Sequence, residues 1–189
     1  MKKLILFLFL SISLFSFGQG SSATKDIQSI KFYGVDYYQA KVFGAKESPY
    51  EFKLAFRRIN ELFIAEAKKY DVGKQLKKEV SEISLEAVNK VNEAINPDEL
   101  FTSRTQYTLT KEQVNAAIQA LPIPKEAGVG MVFIAEFLNK AASRGTYQVV
   151  FFDTDTKEII EEWSTDGKAG GFGLRNYWAG SIHNAIKHL

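Results

Sequence analysis

The sequence contains no cysteine, and its 189 residues include only four prolines and two histidines. Without cysteine the chain cannot form disulfides, thiolate metal sites or a catalytic thiol, and it offers no thiol for lipid attachment. The small number of prolines, with 46% hydrophobic and 24% charged residues, is typical of a folded chain and not of a disordered one. The length predicts one domain.

Long hydrophobic runs are also absent, except at the N-terminus. Lys2 and Lys3 precede an apolar and serine run at residues 4–17, and Ser16 and Gly18 form a small-x-small pair behind it. This pattern is typical of a secretion signal, and the run is shorter than the roughly 20 residues that a membrane span needs. We therefore predict a signal peptide at 1–18, a flexible N-terminus at 19–28, a single domain at 29–189, and an exported protein, periplasmic or extracellular, without a membrane span after cleavage.

A large charge of one sign is missing as well. The formal net charge is +2, and Lys2 and Lys3 of the predicted signal peptide account for it, which leaves as many basic residues as the 22 acidic ones. A neutral chain exerts little attraction on a phosphate backbone, so we expect no nucleic-acid partner.

The first predicted elements are a strand and a helix. Aromatic and β-branched residues predict a strand over 30–43 that is covered on both faces. Ser48-Pro49-Tyr50-Glu51 is a capping box with proline at the first helical position, and it predicts a helix from there to about Tyr70. Strict alternation assigns Phe32, Asp36, Tyr38 and Val42 to one strand face, and Tyr33, Val35, Tyr37 and Phe43 to the other. The helix carries a core-facing stripe of Phe52, Phe56, Ile59, Leu62 and Phe63.

The rest of the chain continues with helices and then strands. Apolar spacing and end signals predict helices over 85–95, 110–121 and 174–189, and strands over 129–138, 146–152 and 158–164. Residues 72–84 are compatible with both a helical turn and a short edge strand, which the pattern does not separate. The predicted fold class is α+β, with an antiparallel sheet of the first strand and a C-terminal three-stranded meander, covered by three or four helices.

Two segments carry a resemblance to known proteins. Residues 34–41 (GVDYYQAK) and 171–179 (GFGLRNYWA) resemble a family of uncharacterised exported bacterial proteins of about this length. The resemblance covers most of the mature chain and implies export without implying an activity. The order of elements is also similar to envelope lipoproteins with an anticodon-binding-like fold, such as activators of penicillin-binding proteins and the curli secretion lipoprotein. Those proteins carry a lipidated cysteine that this chain lacks, so outer-membrane anchoring is not implied.

The least ordinary segment is the glycine-rich stretch at 167–173. It lacks the ending of a P-loop and the spacing of a dinucleotide fingerprint. We favour the interpretation that its glycines permit positive φ angles and a close approach of the backbone to the sheet. The alternative is weak anion binding by backbone amides and two cations, with the candidate residues Lys168, Gly170, Gly171, Gly173 and Arg175.

Catalytic and metal-binding patterns are weak. Ser181 and His183 are two residues apart on a predicted helix and point in different directions, and His188 does not share a face with His183. We therefore predict no catalytic residue set, no metal site and no cofactor. The favoured function is an exported periplasmic or envelope-associated binding module for a protein or small ligand. The alternative is a small periplasmic hydrolase that uses carboxylates of the sheet as general acid and base: Asp36, Glu136, Glu161 and Glu162.

Overall fold

The computed structural model describes residues 23–189, so the predicted signal peptide and residues 19–22 lie outside the described part. The described residues form six strands and six helices. The strands are β1 (Ser29–Asp36), β2 (Lys41–Phe43), β3 (Glu79–Ile83), β4 (Val129–Asn139), β5 (Arg144–Asp153) and β6 (Ile159–Lys168). The helices are α1 (Pro49–Ala65), α2 (Val72–Leu76), α3 (Glu86–Glu93), α4 (Pro97–Leu100), α5 (Lys111–Ala120) and α6 (Leu174–Ile186).

The fold class is α+β as predicted, but the sheet is mixed and not antiparallel. The strand order is β3-β1-β4-β5-β6, with β2 beside β4. The predicted meander β4-β5-β6 is antiparallel, whereas β1 is parallel to both β3 and β4. Parallel neighbours need a crossover connection, and the helical segments between β1 and β3 and between β3 and β4 provide one. The described helices number six because α2 and α4 are short additions to the four helices of eight or more residues.

The first predicted strand consists of two strands. A turn in which Ala40 N donates to Tyr37 O at 3.0 Å separates β1 from β2. Gly34 has a φ angle of +88°, and the pairing of β1 with β4 shifts register between Phe32 and Val35. Phe32, Val35 and Tyr37 consequently belong to one core, so the predicted strict alternation is wrong on this strand. An irregularity of this kind interrupts the alternation of side chains between the two faces of the strand.

Helices cover both faces of the sheet. The larger core lies between the sheet and helices α1 and α6, and the smaller core contains residues of α3 and α5. The capping box of α1 is present, and its predicted core-facing stripe is confirmed, since Phe52, Phe56 and Ile59 are fully buried. The helix ends at Ala65, one turn before the predicted end. Residues 72–84 contain both a short helix and a strand, α2 and β3.

Two buried asparagines hold α1 and α3 against β1. Asn60 of α1 hydrogen-bonds the backbone of Val35, and Asn92 Nδ2 of α3 donates to Val35 O at 3.0 Å. The two helices are also linked directly, because Asn60 Nδ2 donates to Asn89 Oδ1 at 3.2 Å. These bonds fix the separation of α1 and α3 and thereby the shape of the surface between them.

The segment ahead of β1 is in contact with both edges of the domain. Lys78 Nζ donates to Thr24 O at 2.6 Å and to Ile27 O at 2.7 Å, and Thr24 N donates to Glu161 Oε2 at 3.0 Å. Residues 23–28 of the predicted flexible N-terminus therefore make defined contacts in the structure.

Candidate functional site

The exposed side of α1 carries apolar side chains that the core does not use. Tyr50 and Leu54 are 76% and 38% exposed and lie four residues apart on the same helix face. Phe172, in the loop between β6 and α6, is 96% exposed. Three of the five exposed large hydrophobic side chains in residues 23–189 therefore occur here, and we call Tyr50, Leu54, Phe172 and the two recesses beside them the α1 surface.

The first recess lies between α1 and α3 and has a volume of about 560 Å³. Pro49, Tyr50, Leu54 and Pro97 supply much of its apolar lining. Because Asn60 and Asn92 fix both helices to the same strand, the recess is part of the rigid framework of the domain.

The charged groups of the first recess already have partners. Lys53 Nζ donates to Glu93 O at 2.6 Å, where α3 ends and its last carbonyls lack helical donors. Arg57 lies 3.5 Å from Glu61 and 3.8 Å from Glu93, measured between nitrogen and carboxylate oxygen. This recess therefore offers a mainly apolar surface whose two cations are already engaged, Lys53 by backbone carbonyls and Arg57 by carboxylates.

The second recess lies between α1 and the start of α6 and has a volume of about 300 Å³. Leu54 lines both recesses, so the two form one continuous surface. Phe172 and Leu174 add apolar area to the second recess, and Arg58 and Arg175 add cationic groups.

The two arginines of the second recess are not neutralised by carboxylates. Within the described residues neither Arg58 nor Arg175 forms an ion pair, and Arg175 Nε donates to the neutral amide Asn176 Oδ1 at 3.1 Å. Glu51, which also lines this recess, accepts hydrogen bonds from Ser48 N at 2.7 Å and from Ser48 Oγ at 2.8 Å. These bonds stabilise the charged form and hold the pKa of Glu51 below its usual value.

The predicted anion-site residues divide between different places. Arg175 lines the second recess, Gly171 lines a third recess of about 220 Å³ with Lys140 and Glu47, and Gly173 lines both. Gly171 and Gly173 have φ angles of +126° and +79°, which agrees with the structural interpretation of the glycines. Lys168 ends β6 and lines neither of these recesses, and Gly170 N donates to Tyr177 O at 3.1 Å.

The sheet carboxylates considered for catalysis lie elsewhere. Asp36 is 1% exposed, and burial raises its pKa to about 6, against a smaller lowering by the hydrogen bond from Tyr38 N. Glu136 is 4% exposed, and its Oε2 accepts bonds from Leu109 N and Gln148 Nε2, both at 2.9 Å. Neither recess of the α1 surface is lined by Asp36, Glu136, Glu161 or Glu162.

Ser181 and His183 of α6, and His188 just after its end, have structural contacts. Ser181 is buried, accepts a hydrogen bond from Tyr147 Oη at 3.0 Å and donates to Gly167 O at 2.8 Å. His183 packs edge-on against Tyr70, and burial lowers its pKa. His188 Nδ1 lies 2.9 Å from Asp166 O. In residues 23–189 no group of three or more histidine, aspartate or glutamate side chains is arranged to hold a metal ion.

Sequence reasoning identified Arg175 and the glycines but missed Tyr50, Leu54 and Arg58. The available signal was an aromatic and a leucine four residues apart on the side of α1 opposite its core stripe. The proximity of Leu54 and Arg58 to Phe172 depends on tertiary packing, which local spacing does not contain.

Comparison with known proteins found no matching family model, no matching curated protein and no matching solved structure. Among the helices of residues 23–189, none combines the length and apolar character needed to cross a bilayer.

Proposed function

We propose that the chain is an exported, non-catalytic binding module of the periplasm or cell envelope that docks a partner protein on the α1 surface. The observation that carries the proposal is the concentration of Tyr50, Leu54 and Phe172, all exposed, beside two recesses. Apolar patches bordered by charged groups are typical of interaction surfaces.

The composition and rigidity of the α1 surface support the same function. Aromatic side chains and arginine are the residue types that contribute most to binding energy at protein interfaces. Here Tyr50 lines the first recess with Arg57, and Phe172 lines the second recess with Arg58 and Arg175. The helix that presents Tyr50 is fixed through Asn60, so binding requires little additional ordering of its backbone.

The alternative function, hydrolysis by sheet carboxylates, has less support from the geometry. A general acid or base must come within hydrogen-bond distance of the substrate. Asp36 and Glu136 are almost fully buried, and the recesses of the α1 surface are lined by other residues. A binding module therefore fits the accessible surface better than an enzyme of this kind does.

Site-specific cross-linking tests the docking proposal. A photoreactive benzoylphenylalanine is introduced in place of Tyr50 or Phe172 and, as matched controls, in place of Tyr38 or Ile64, which are 49% and 61% exposed outside this surface. We expect positions 50 and 172 to give the same discrete cross-linked partner in the native host. Equal cross-linking at all four positions would contradict a specific docking surface.

Export is tested separately by the intact mass of the protein recovered from its native host. We expect a mature chain that begins at Gln19 or within two residues of it, because Ser16 and Gly18 are the correctly placed small residues. A mass that retains residues 1–18 would contradict export by a cleaved signal peptide without affecting the docking proposal.

A further inference from the structure

The charges of the α1 surface are unevenly compensated. Arg57 is paired with Glu61 and Glu93, whereas Arg58 and Arg175 have no carboxylate within ion-pair distance in the described residues. Positive charge on the second recess is therefore available to a partner.

The carboxylate that shares the second recess does not neutralise these arginines. Glu51 is held by Ser48 in the capping box, at the start of α1. Arg58 lies seven positions further along the helix, which corresponds to about 10 Å along its axis. The recess thus has a negative group near the start of α1 and the cation Arg58 about two turns further along, and a partner carboxylate is favoured at the end with Arg58.

Apolar side chains lie next to the two cations. Leu54, Phe172 and Leu174 line the same recess of about 300 Å³, a volume suited to one or two side chains. We infer that the partner docks through an acidic segment that places carboxylate side chains against Arg58 and Arg175, and an adjacent aromatic or leucine side chain against Leu54 and Phe172. This inference rests on the proposed docking function and specifies the chemistry of the docked segment.

The shape of the surface favours a protein segment over a lipid bilayer. Recesses lie on both sides of Leu54, and concave sites of this size receive individual side chains. A bilayer presents a broad surface and engages protruding groups, and on the α1 surface Phe172 is the side chain with nearly complete exposure. A chain with alternating acidic and apolar side chains can place apolar groups in the recesses and carboxylates against the unpaired Arg58 and Arg175.

Two synthetic peptides and the ¹⁵N-labelled protein test the inference. Both peptides carry the same phenylalanine and leucine residues, and the remaining positions are glutamate in one and lysine in the other. We expect the glutamate peptide to shift the amide resonances of Tyr50, Leu54 and Phe172, with an affinity that falls as salt is added, and the lysine peptide to leave them unchanged.

Charge-reversal variants locate the contact. The double variant Arg58→Glu with Arg175→Glu is expected to weaken binding of the glutamate peptide by about tenfold or more. Lys111→Glu with Lys125→Glu is the matched control, because both lysines are exposed and lie at the start of α5 and in the loop that follows α5. This control should leave the affinity unchanged.

The possible outcomes separate this inference from the docking function. Equal binding of both peptides to the α1 surface would overturn the acidic preference and retain docking. Failure of both peptides, with partner cross-linking at positions 50 and 172 intact, would also overturn the acidic inference alone. Loss of the cross-links as well would overturn both proposals. Co-sedimentation with phosphatidylglycerol vesicles that the double variant abolishes, without peptide binding, would assign the surface to lipid and overturn the inference.

Discussion

Asn60 of α1 and Val35 of β1 form a two-point hydrogen bond in which a side-chain amide replaces a neighbouring strand. Asn60 Oδ1 accepts from Val35 N at 2.8 Å, and Asn60 Nδ2 donates to Val35 O at 3.0 Å. The pairing of β3 with β1 ends at Phe32, so Val35 has no strand partner on that side. A Cβ at Gly34 would lie 2.9 Å from Asn60 Oδ1, and glycine therefore permits this contact.

Replacing Asn60 tests how much this contact contributes. Asn60→Ala leaves the buried N–H of Val35 without its partner, whereas Val35 O keeps the hydrogen bond from Asn92 Nδ2. We expect a loss of about 2 kcal/mol in the free energy of unfolding. Chemical denaturation measures it. Asn115→Ala, at an exposed position of α5, is the control and should change stability by less than about 0.5 kcal/mol. Equal effects of the two substitutions would mean that α1 does not depend on this bond.

The local sequence pattern predicted the helices and the C-terminal meander well, because helix caps and the periodic spacing of apolar residues are short-range signals. Ser48 caps α1 as predicted, and Thr110, the predicted first residue of the helix over 110–121, caps α5. The parallel position of β1 was missed, since its pairing with β3 and β4 joins residues about 50 to 100 positions apart. Asn60 was also missed, although its place among Phe56, Ile59 and Phe63 marks it as a polar residue on an apolar stripe.

The candidate site was only partly predictable for the same reason. Arg175 and the glycines formed a visible local cluster, and their backbone angles agree with the structural role that we favoured. The neighbours that give the cluster an apolar and cationic surface, Leu54 and Arg58, come from a helix more than 100 residues earlier in the chain. Only the packing of α1 against α6 brings them to the loop.

The stacking of Phe56 on Tyr37 gives a second stability prediction. The ring centroids lie 3.9 Å apart with an interplanar angle of 4°, and both residues are fully buried. Phe56→Ala should lower the free energy of unfolding by about 3 to 5 kcal/mol, because it removes a buried ring and leaves a cavity. Tyr50→Ala, an exposed aromatic on the same helix, is the control. A loss below about 1 kcal/mol for Phe56→Ala would contradict its core position.

Burial of Asp36 predicts a specific pH dependence of stability. Its pKa is raised from 3.8 to about 6 in the folded protein, so between these values the folded state binds a proton that the unfolded state releases. The resulting stabilisation is fully present below pH 4 and is lost as the pH rises through 6. The free energy of unfolding therefore falls by about 3 kcal/mol over this range.

The variant Asp36→Asn isolates this effect. It keeps an oxygen to accept the hydrogen bond from Tyr38 N and cannot ionise. We expect the variant to be more stable than the original protein above pH 7 and similar to it near pH 4, as measured by denaturation at both pH values. Asp155→Asn, on an exposed turn, serves as the control. A pH-independent difference between Asp36→Asn and the original protein would show that Asp36 does not titrate in this way.

Substitution by alanine should affect stability very differently at two glycines, Gly167 and Gly170. A Cβ at Gly167 would overlap Ser181 O and lie 2.6 Å from Ala185 N, both in the backbone of α6. A Cβ at Gly170 would have no atom within 4 Å. Gly167→Ala should therefore cost about 3 kcal/mol, and Gly170→Ala should be close to neutral. Thermal and chemical denaturation of the two variants compare these effects, and a tolerated Gly167→Ala would contradict the close packing of β6 on α6.

The last prediction concerns weak anion binding at the glycine loop. The N-cap of α6 is Gly173, which supplies no side-chain acceptor, and the first turn contains no acid, in contrast to Ser48 and Glu51 at the start of α1. The free N–H groups of a helix start and a nearby cation attract anions, and the attraction is modest and decreases with salt.

Titration with phosphate or sulfate at low ionic strength, followed by amide chemical shifts, tests this prediction. We expect the changes in amide chemical shift at residues 171–174. Gly170 N is already bonded to Tyr177 O, and Lys168 lies apart from the second recess, so Arg175→Ala should weaken the response more than Lys168→Ala does. An unchanged response in a variant that combines Lys168→Ala with Arg175→Ala, or shifts confined to distant residues, would leave the loop with a structural role alone.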